Sequence, residues 1–194
     1  MKPHAKIKKL NLTKQILGKN LGTNQNGHAG RQMENMLEDM GVEINRGHGP
    51  DIKRFGLEVK TRERDAVSAQ TIATMHINDI VDTDYEHSHV REKFQQQLRV
   101  YTKQGTVTHA DVYDFSAAWI QHTVKMAYEH ARQQLIQANS SGAHIACTRV
   151  NGHFGYFESR PDSPNTYSFR VSAANMNRFE RMTQSTFGKF FDFE

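Results

Sequence analysis

Apolar side chains return at helical intervals in two long stretches of this chain and alternate with polar ones in several short stretches between. Met33, Met36, Leu37 and Met40 recur at the three- and four-residue steps of one helical face, which predicts a helix over residues 29–40 stopped by Gly41. Ile120, Val124, Tyr128, Ala131 and Leu135 draw a longer stripe along residues 117–138, the strongest helix in the sequence. Residues 139–142 terminate it, and its apolar face calls for a sheet to pack against. Shorter helices are read at residues 8–17 and 173–182, and a Gly- and Asn-rich loop over 18–30 separates the first helix from the second.

The strand-like stretches are short. A turn at 47–50 leads into 51–54 and 56–62, two strands joined at Phe55 and Gly56, and the Thr- and Ile-rich run 70–75 is a third. Residues 98–102 and 107–115 flank Gln104-Gly105 as a hairpin, and strands are also read at 143–150, 153–158 and 167–171. The acidic, His-containing stretch 78–89 reads as a surface connection. Helices and strands mixed in this order predict an α/β fold with a central mixed β-sheet flanked by helices. At 194 residues, one domain spanning 1–194 is expected.

Composition narrows the class. The chain is 37% hydrophobic and 24% charged with eleven Phe, as a folded globular protein requires. No apolar run approaches the roughly 20 residues that span a bilayer, and the basic residues 1–10 lack a signal-peptide pattern, so a cytoplasmic, membrane-free protein is expected. The single cysteine, Cys147, excludes an intramolecular disulfide; its apolar surroundings predict burial. A formal charge of +4 with eleven His favours polyanionic partners, without choosing among them.

The chemistry concentrates after Pro50. Asp51 is followed by six residues, then Glu58, Val59 and Lys60. Side chains alternate across a strand, so Glu58 and Lys60 share one face while Leu57 and Val59 enter apolar packing on the other. With Asp51 on the neighbouring strand of a short hairpin, two carboxylates meet, and such a pair repels unless a cation lies between them. Magnesium, a hard ion content with a few oxygen ligands, suits that position and leaves room for a phosphate oxygen and a water. Lys60 would stand beside the attacking water, orienting it, depressing its pKa or neutralising charge that develops on phosphorus. Glu34, close to the apolar stripe of its helix, either joins this acidic cluster, through a second metal or by holding Lys60, or is a helix-surface glutamate.

Gly30-Arg31-Gln32-Met33-Glu34, Pro50-Asp51 and Leu57-Glu58-Val59-Lys60-Thr61 together resemble the active-site segment of the PD-(D/E)XK nucleases, and within them the MutH-like branch that includes the MvaI/BcnI restriction enzymes. Gln70 to Met75 is similar to the strand those enzymes place after the lysine, and Tyr167 to Val171 is weakly similar to a later one. The resemblance covers about residues 27–75. It implies a restriction endonuclease-like core and hydrolysis of double-stranded DNA with Mg2+, for which Mn2+ can substitute. Metal positions would be Asp51, Glu58 and Val59, with Lys60 as catalytic lysine and Glu34 as supporting acid. It further implies a monomer that nicks or cuts one strand at a time, in restriction, phage interference or repair. Val59 stands where the family commonly has a leucine.

Phosphate and base contacts call for Arg, Lys, Asn and His. Lys53, Arg54, Arg62 and Arg64 flank the motif, and Arg149, Asn151, His153 and Arg160 surround a turn at Gly152, so these eight form the expected DNA-facing set; each read singly is a solubilising surface group. His76, Asp79, Asp82, Asp84, His87 and His89 lack the fixed spacing of a zinc site and read as a solvated loop. The basic run 2–9 reads as a surface segment able to add phosphate contacts, and Trp119 and Tyr128 fit a helix core. Two alternatives stand beside a duplex endonuclease: a structure- or mismatch-selective nickase, and a catalytically inactive DNA-binding module, which predicts no metal dependence.

Overall fold

In the computed structural model, which describes residues 12–22, 28–47 and 49–187, helices and strands alternate irregularly. In chain order they are α1 (Leu12–Ile16), α2 (His28–Asp39), β1 (Glu58–Glu63), β2 (Gln70–His76), α3 (Ile77–Asp82), α4 (His89–Lys93), β3 (Gln96–Lys103), β4 (Thr106–Asp114), α5 (Ala118–Ser140), β5 (Gly155–Arg160), β6 (Ser163–Val171) and α6 (Ala173–Phe187). The basic run 2–9 and the start of the helix expected at 8–17 lie outside the described residues. Among the described residues no helix is long and apolar enough to cross a membrane.

The fold is mixed α/β, but a single central sheet is not what forms. One three-stranded sheet has the order β1-β3-β4, with β1 parallel to β3 and β3 antiparallel to β4; a second, wholly antiparallel, has the order β2-β6-β5. Hydrophobic alternation marks a strand without naming its partner, which is why the pairing was not legible. The sheets belong to two compact units that interleave along the chain. One comprises the described residues up to Ala66 together with Gln95–Asp114, the other Val67–Phe94 and the described residues from Phe115 onward.

In the first unit, α2 buries Ala29, Met33 and Leu37 in a core shared with Leu57 and Val59 of the β1 segment and Leu98 and Val100 of β3. Gly41, at φ 80°, ends the helix. Its N–H donates to Glu38 O at 2.8 Å while Val42 N–H reaches Leu37 O at 2.9 Å, the paired bonds of a Schellman stop. The β3-β4 hairpin turns at Gln104 (φ 51°) and Gly105 (φ 78°), the two positive φ values that a two-residue turn needs to match strand twist. A Cβ on Gly105 would overlap the carbonyl of Gly22. Gly105→Ala is therefore expected to destabilise the protein by about 1–3 kcal/mol, measurable by chemical denaturation; an unchanged midpoint would contradict the close approach.

In the second unit the apolar face of α5 buries Ile120, Val124, Tyr128, Ala131 and Leu135 and packs over β5. Tyr128 meets Phe157 of β5 and Phe169 of β6 at ring-centroid distances of 5.5 and 5.9 Å. The stretch expected as a surface connection over 78–89 instead forms α3, a 3-10 turn at Tyr85–His87 and the start of α4, anchored by buried Ile80, Tyr85 and Val90. Its polar residues serve as caps: Asp84 accepts from His87 N–H, and Ser88 Oγ from Arg91 N–H. Two further expectations fail. Cys147 is exposed, because 143–150 is an edge segment joined to β5 by one isolated bridge with Thr148 alone turned inward. Trp119, at the start of α5, lies beside the buried stripe rather than on it and is 45% exposed.

Candidate active site

The motif residues lie on β1 and on the turn beside its open edge. Asp51 is not on a strand: Ile52 and Leu57 exchange backbone bonds of 2.9 and 3.2 Å across a 3-10 turn, Lys53–Phe55, that closes on Gly56 at φ 63°. A hairpin this tight leaves no room for paired strands. Asn45 prepares the approach, its N–H donating to Asp51 O at 2.6 Å and its amide to Pro50 O at 3.2 Å. The Asp51 carboxylate then accepts the Val59 N–H at 2.8 Å through Oδ2. Leu57 and Val59 thus turn their peptide groups away from β3, and because an extended residue points its N–H and C=O to the same side, the Val59 carbonyl faces the edge that Asp51 occupies.

Alternation does the rest. Glu58 and Lys60 share the opposite face from Leu57 and Val59, and Lys60 Nζ donates to Glu58 Oε1 at 2.7 Å. Glu58 is 1% exposed and Lys60 half-buried, so this is an ion pair largely out of water, where an unmatched charge is costly. Glu34, reaching in from α2, is electrostatically coupled to the same cluster. Burial chiefly, then the charge of Asp51, and less strongly that of Glu58, raise its pKa above the ordinary carboxylate value; Arg46 and Lys60 oppose them. The ion pair of Lys60 runs to Glu58, and Glu34 senses Asp51 through its charge.

Linkage fixes the sign of a test. A carboxyl whose pKa is higher in the folded state stabilises the fold while protonated, and that contribution is lost as pH rises through the folded value. Glu34→Gln, which mimics the protonated form, is expected to raise the Tm of metal-free protein at pH 7. The gain should vanish below about pH 4.3, where a glutamate in the unfolded chain also protonates. A Tm difference independent of pH would contradict the coupling.

The donor set consists of oxygens: the carboxylates of Asp51, Glu58 and Glu34 and the Val59 carbonyl. Such donors suit Mg2+ or Mn2+ and offer nothing to a soft metal. Among the described residues no three His, Cys, Asp or Glu side chains are already gathered into a metal cage; magnesium characteristically uses one or two carboxylates and keeps several waters.

The expected DNA-facing residues divide. Lys53 and Arg54 are exposed on the turn that follows Asp51, Arg54 lying 5.8 Å from the Phe55 ring, and Arg64 is exposed just past β1. Arg62 is a correction: it is buried, its guanidinium turned back to donate to the Ala66 carbonyl just past β1. The other four lie in the second unit. Arg149 sits 4.7 Å over the Tyr156 ring, Asn151 is exposed, His153 stacks on His130 at 4.3 Å, and Arg160 is held by Asp162 at 3.1 and 2.8 Å. Asn45 and Arg46, which order and charge the approach to Asp51, were missed, although Asn45-Arg46-Gly47 carries a turn signal: Asn45 Oδ1 accepts the Gly47 N–H at 3.2 Å. No protein-family model matches the chain, and no curated protein matches it.

Proposed function

We propose that this chain is a metal-dependent endonuclease of the PD-(D/E)XK type, with a restriction endonuclease-like core, that hydrolyses phosphodiester bonds in double-stranded DNA. The observation that carries this reading is the largely buried Glu58–Lys60 ion pair on β1 beside the Asp51 carboxylate that accepts the Val59 N–H, with Glu34 of α2 within electrostatic range. Asp51, Glu58 and the Val59 carbonyl would hold Mg2+ or Mn2+. Such an ion, when bound, polarises a phosphate oxygen and acidifies water.

The chain's own groups do the remaining work. Val59 N–H fixes the Asp51 carboxylate at the strand edge, and the rigidity of β1 fixes the spacing between Glu58 and Lys60. The Lys60 ammonium, held by Glu58 at 2.7 Å, is placed to offset negative charge that grows on the phosphate during attack. Glu34 adds a carboxylate within electrostatic range of Asp51, able to orient a water or accept its proton. Exposed Lys53, Arg54 and Arg64 near the strand supply backbone phosphate contacts.

Because Lys60 acts by position, Lys60→Ala should cost cleavage rate on the order of 10²-fold or more, with DNA affinity, measured in Ca2+, nearly unchanged. Equal losses in rate and affinity would mean that Lys60 is a phosphate anchor instead. Cleavage confined to mismatched or branched duplexes would identify a structure-selective nickase using this same site.

A further inference from the structure

The second unit holds a cleft that the proposed chemistry leaves unused. It has a volume of about 570 Å³ and is built from two helical stripes. Trp119, His122, Thr123, Met126 and His130 follow one another along α5, beside its buried stripe; Asn175, Arg178, Phe179 and Met182 follow along α6, and Gly152 to Phe154 close one end. The floor is aromatic, Phe154 and Phe179 being buried with ring centroids 4.3 Å apart. Trp119 meets Phe179 in a T-shaped contact, at 5.6 Å and 78°, and keeps 45% of its surface exposed. The rim is polar: His122, His130, His153 and Arg178 are exposed, and among the described residues no Asp or Glu lines the cleft.

An aromatic floor, a partly exposed indole and a rim bearing Arg178 and three His match one chemistry, a flat heterocycle attached to a phosphate. A purely apolar ligand would leave the rim groups without purpose, and the volume lies within the range of small-molecule sites. We infer that this cleft binds an unstacked nucleotide of the DNA substrate, its base against Trp119 and Phe179 and its phosphate near Arg178. The inference rests on the nuclease reading, which it refines toward substrates carrying an extrahelical base.

Trp119 is the only tryptophan in the chain, so its fluorescence reports on the cleft directly. The protein is titrated, with chelator present so that no cleavage occurs, with a duplex carrying one bulged nucleotide and with the same duplex fully paired. The expected result is saturable quenching by the bulged duplex alone, weakened about tenfold or more by Arg178→Ala. By anisotropy of a labelled bulged duplex, Trp119→Ala should lose about the same factor, the scale of one base stack, with circular dichroism checking the fold. Equal quenching by the paired duplex or by heparin would overturn the inference in favour of simple polyanion attraction. Quenching by a peptide of residues 188–194, Gly-Lys-Phe-Phe-Asp-Phe-Glu, and not by bulged DNA would give the cleft to the chain's own C-terminal sequence and also overturn it. None of these outcomes depends on cleavage, so a nuclease failure would show separately, as absent metal-dependent hydrolysis.

Discussion

Glu58→Ala is expected to lower the single-turnover rate of duplex cleavage on the order of 10³-fold, the scale on which preorganised charge acts in a water-poor site. Two roles meet in this one side chain. It is a metal-ligand candidate at 1% exposure, and it is the anion that holds the Lys60 ammonium at 2.7 Å. Removing it therefore loses an oxygen donor and frees the lysine at once. Because a half-buried Lys60 is then left without its carboxylate, some stability is lost as well, so Glu58→Gln is the necessary companion. It keeps the volume and a hydrogen-bond acceptor, and should fold like the parent while cleaving as poorly as the alanine variant. Rates are measured with labelled duplex under excess protein and saturating Mg2+; a folded Glu58→Gln protein that cleaves within about threefold of the parent would remove Glu58 from the mechanism.

Phe169→Ala is expected to cost about 3–5 kcal/mol of folding stability, the range for emptying a buried aromatic site. Phe169 is fully buried on β6, with Phe157 of β5 at 5.3 Å in edge-to-face contact and Tyr128 of α5 at 5.9 Å. Its ring also fills the space left by Gly155 on the neighbouring strand, where a Cβ would overlap the ring and come 3.2 Å from the Arg170 carbonyl. Gly155→Ala should therefore destabilise too, through overpacking. The two effects share one space, so in the double variant the costs should sum to less than their separate values. Denaturant unfolding of the four proteins checks this; strict additivity would mean that ring and glycine are independent.

The elements legible in the sequence were those whose signal is local. The stripe of Met33 and Leu37 with Gly41 behind it marks α2, and the stripe from Ile120 to Leu135 marks α5. Gln104-Gly105 marks the β3-β4 hairpin, since few residue pairs accept two positive φ values in succession. Period-two alternation likewise places Glu58 and Lys60 side by side. What escaped was whatever depends on a distant partner. Strand alternation did not say that β1 would join β3 while β2 left for β6, so two sheets formed where one central sheet was expected. Arg62 turns its guanidinium back to the Ala66 carbonyl, which carries it into a buried position rather than onto a phosphate-facing surface. Asp51 was assigned to a strand although Gly56 lay where a left-handed residue closes a tight turn; the carboxylate reaches the strand edge through its bond to Val59 N–H instead. In the 77–93 segment Asp79, Asp82, Asp84 and His87 are exposed as expected, with Asp84 capping the 3-10 turn, but the few apolar residues among them, Ile80, Tyr85 and Val90, anchor helices that the polar pattern hid.

The most direct test of the central claim is incubation of purified protein with supercoiled plasmid in Mg2+, in Mn2+ and in excess chelator, with products resolved as supercoiled, nicked and linear forms. The account predicts nicked and then linear DNA with either metal and intact supercoils in chelator. Intact supercoils under all three conditions, or cleavage that persists in chelator, would contradict it.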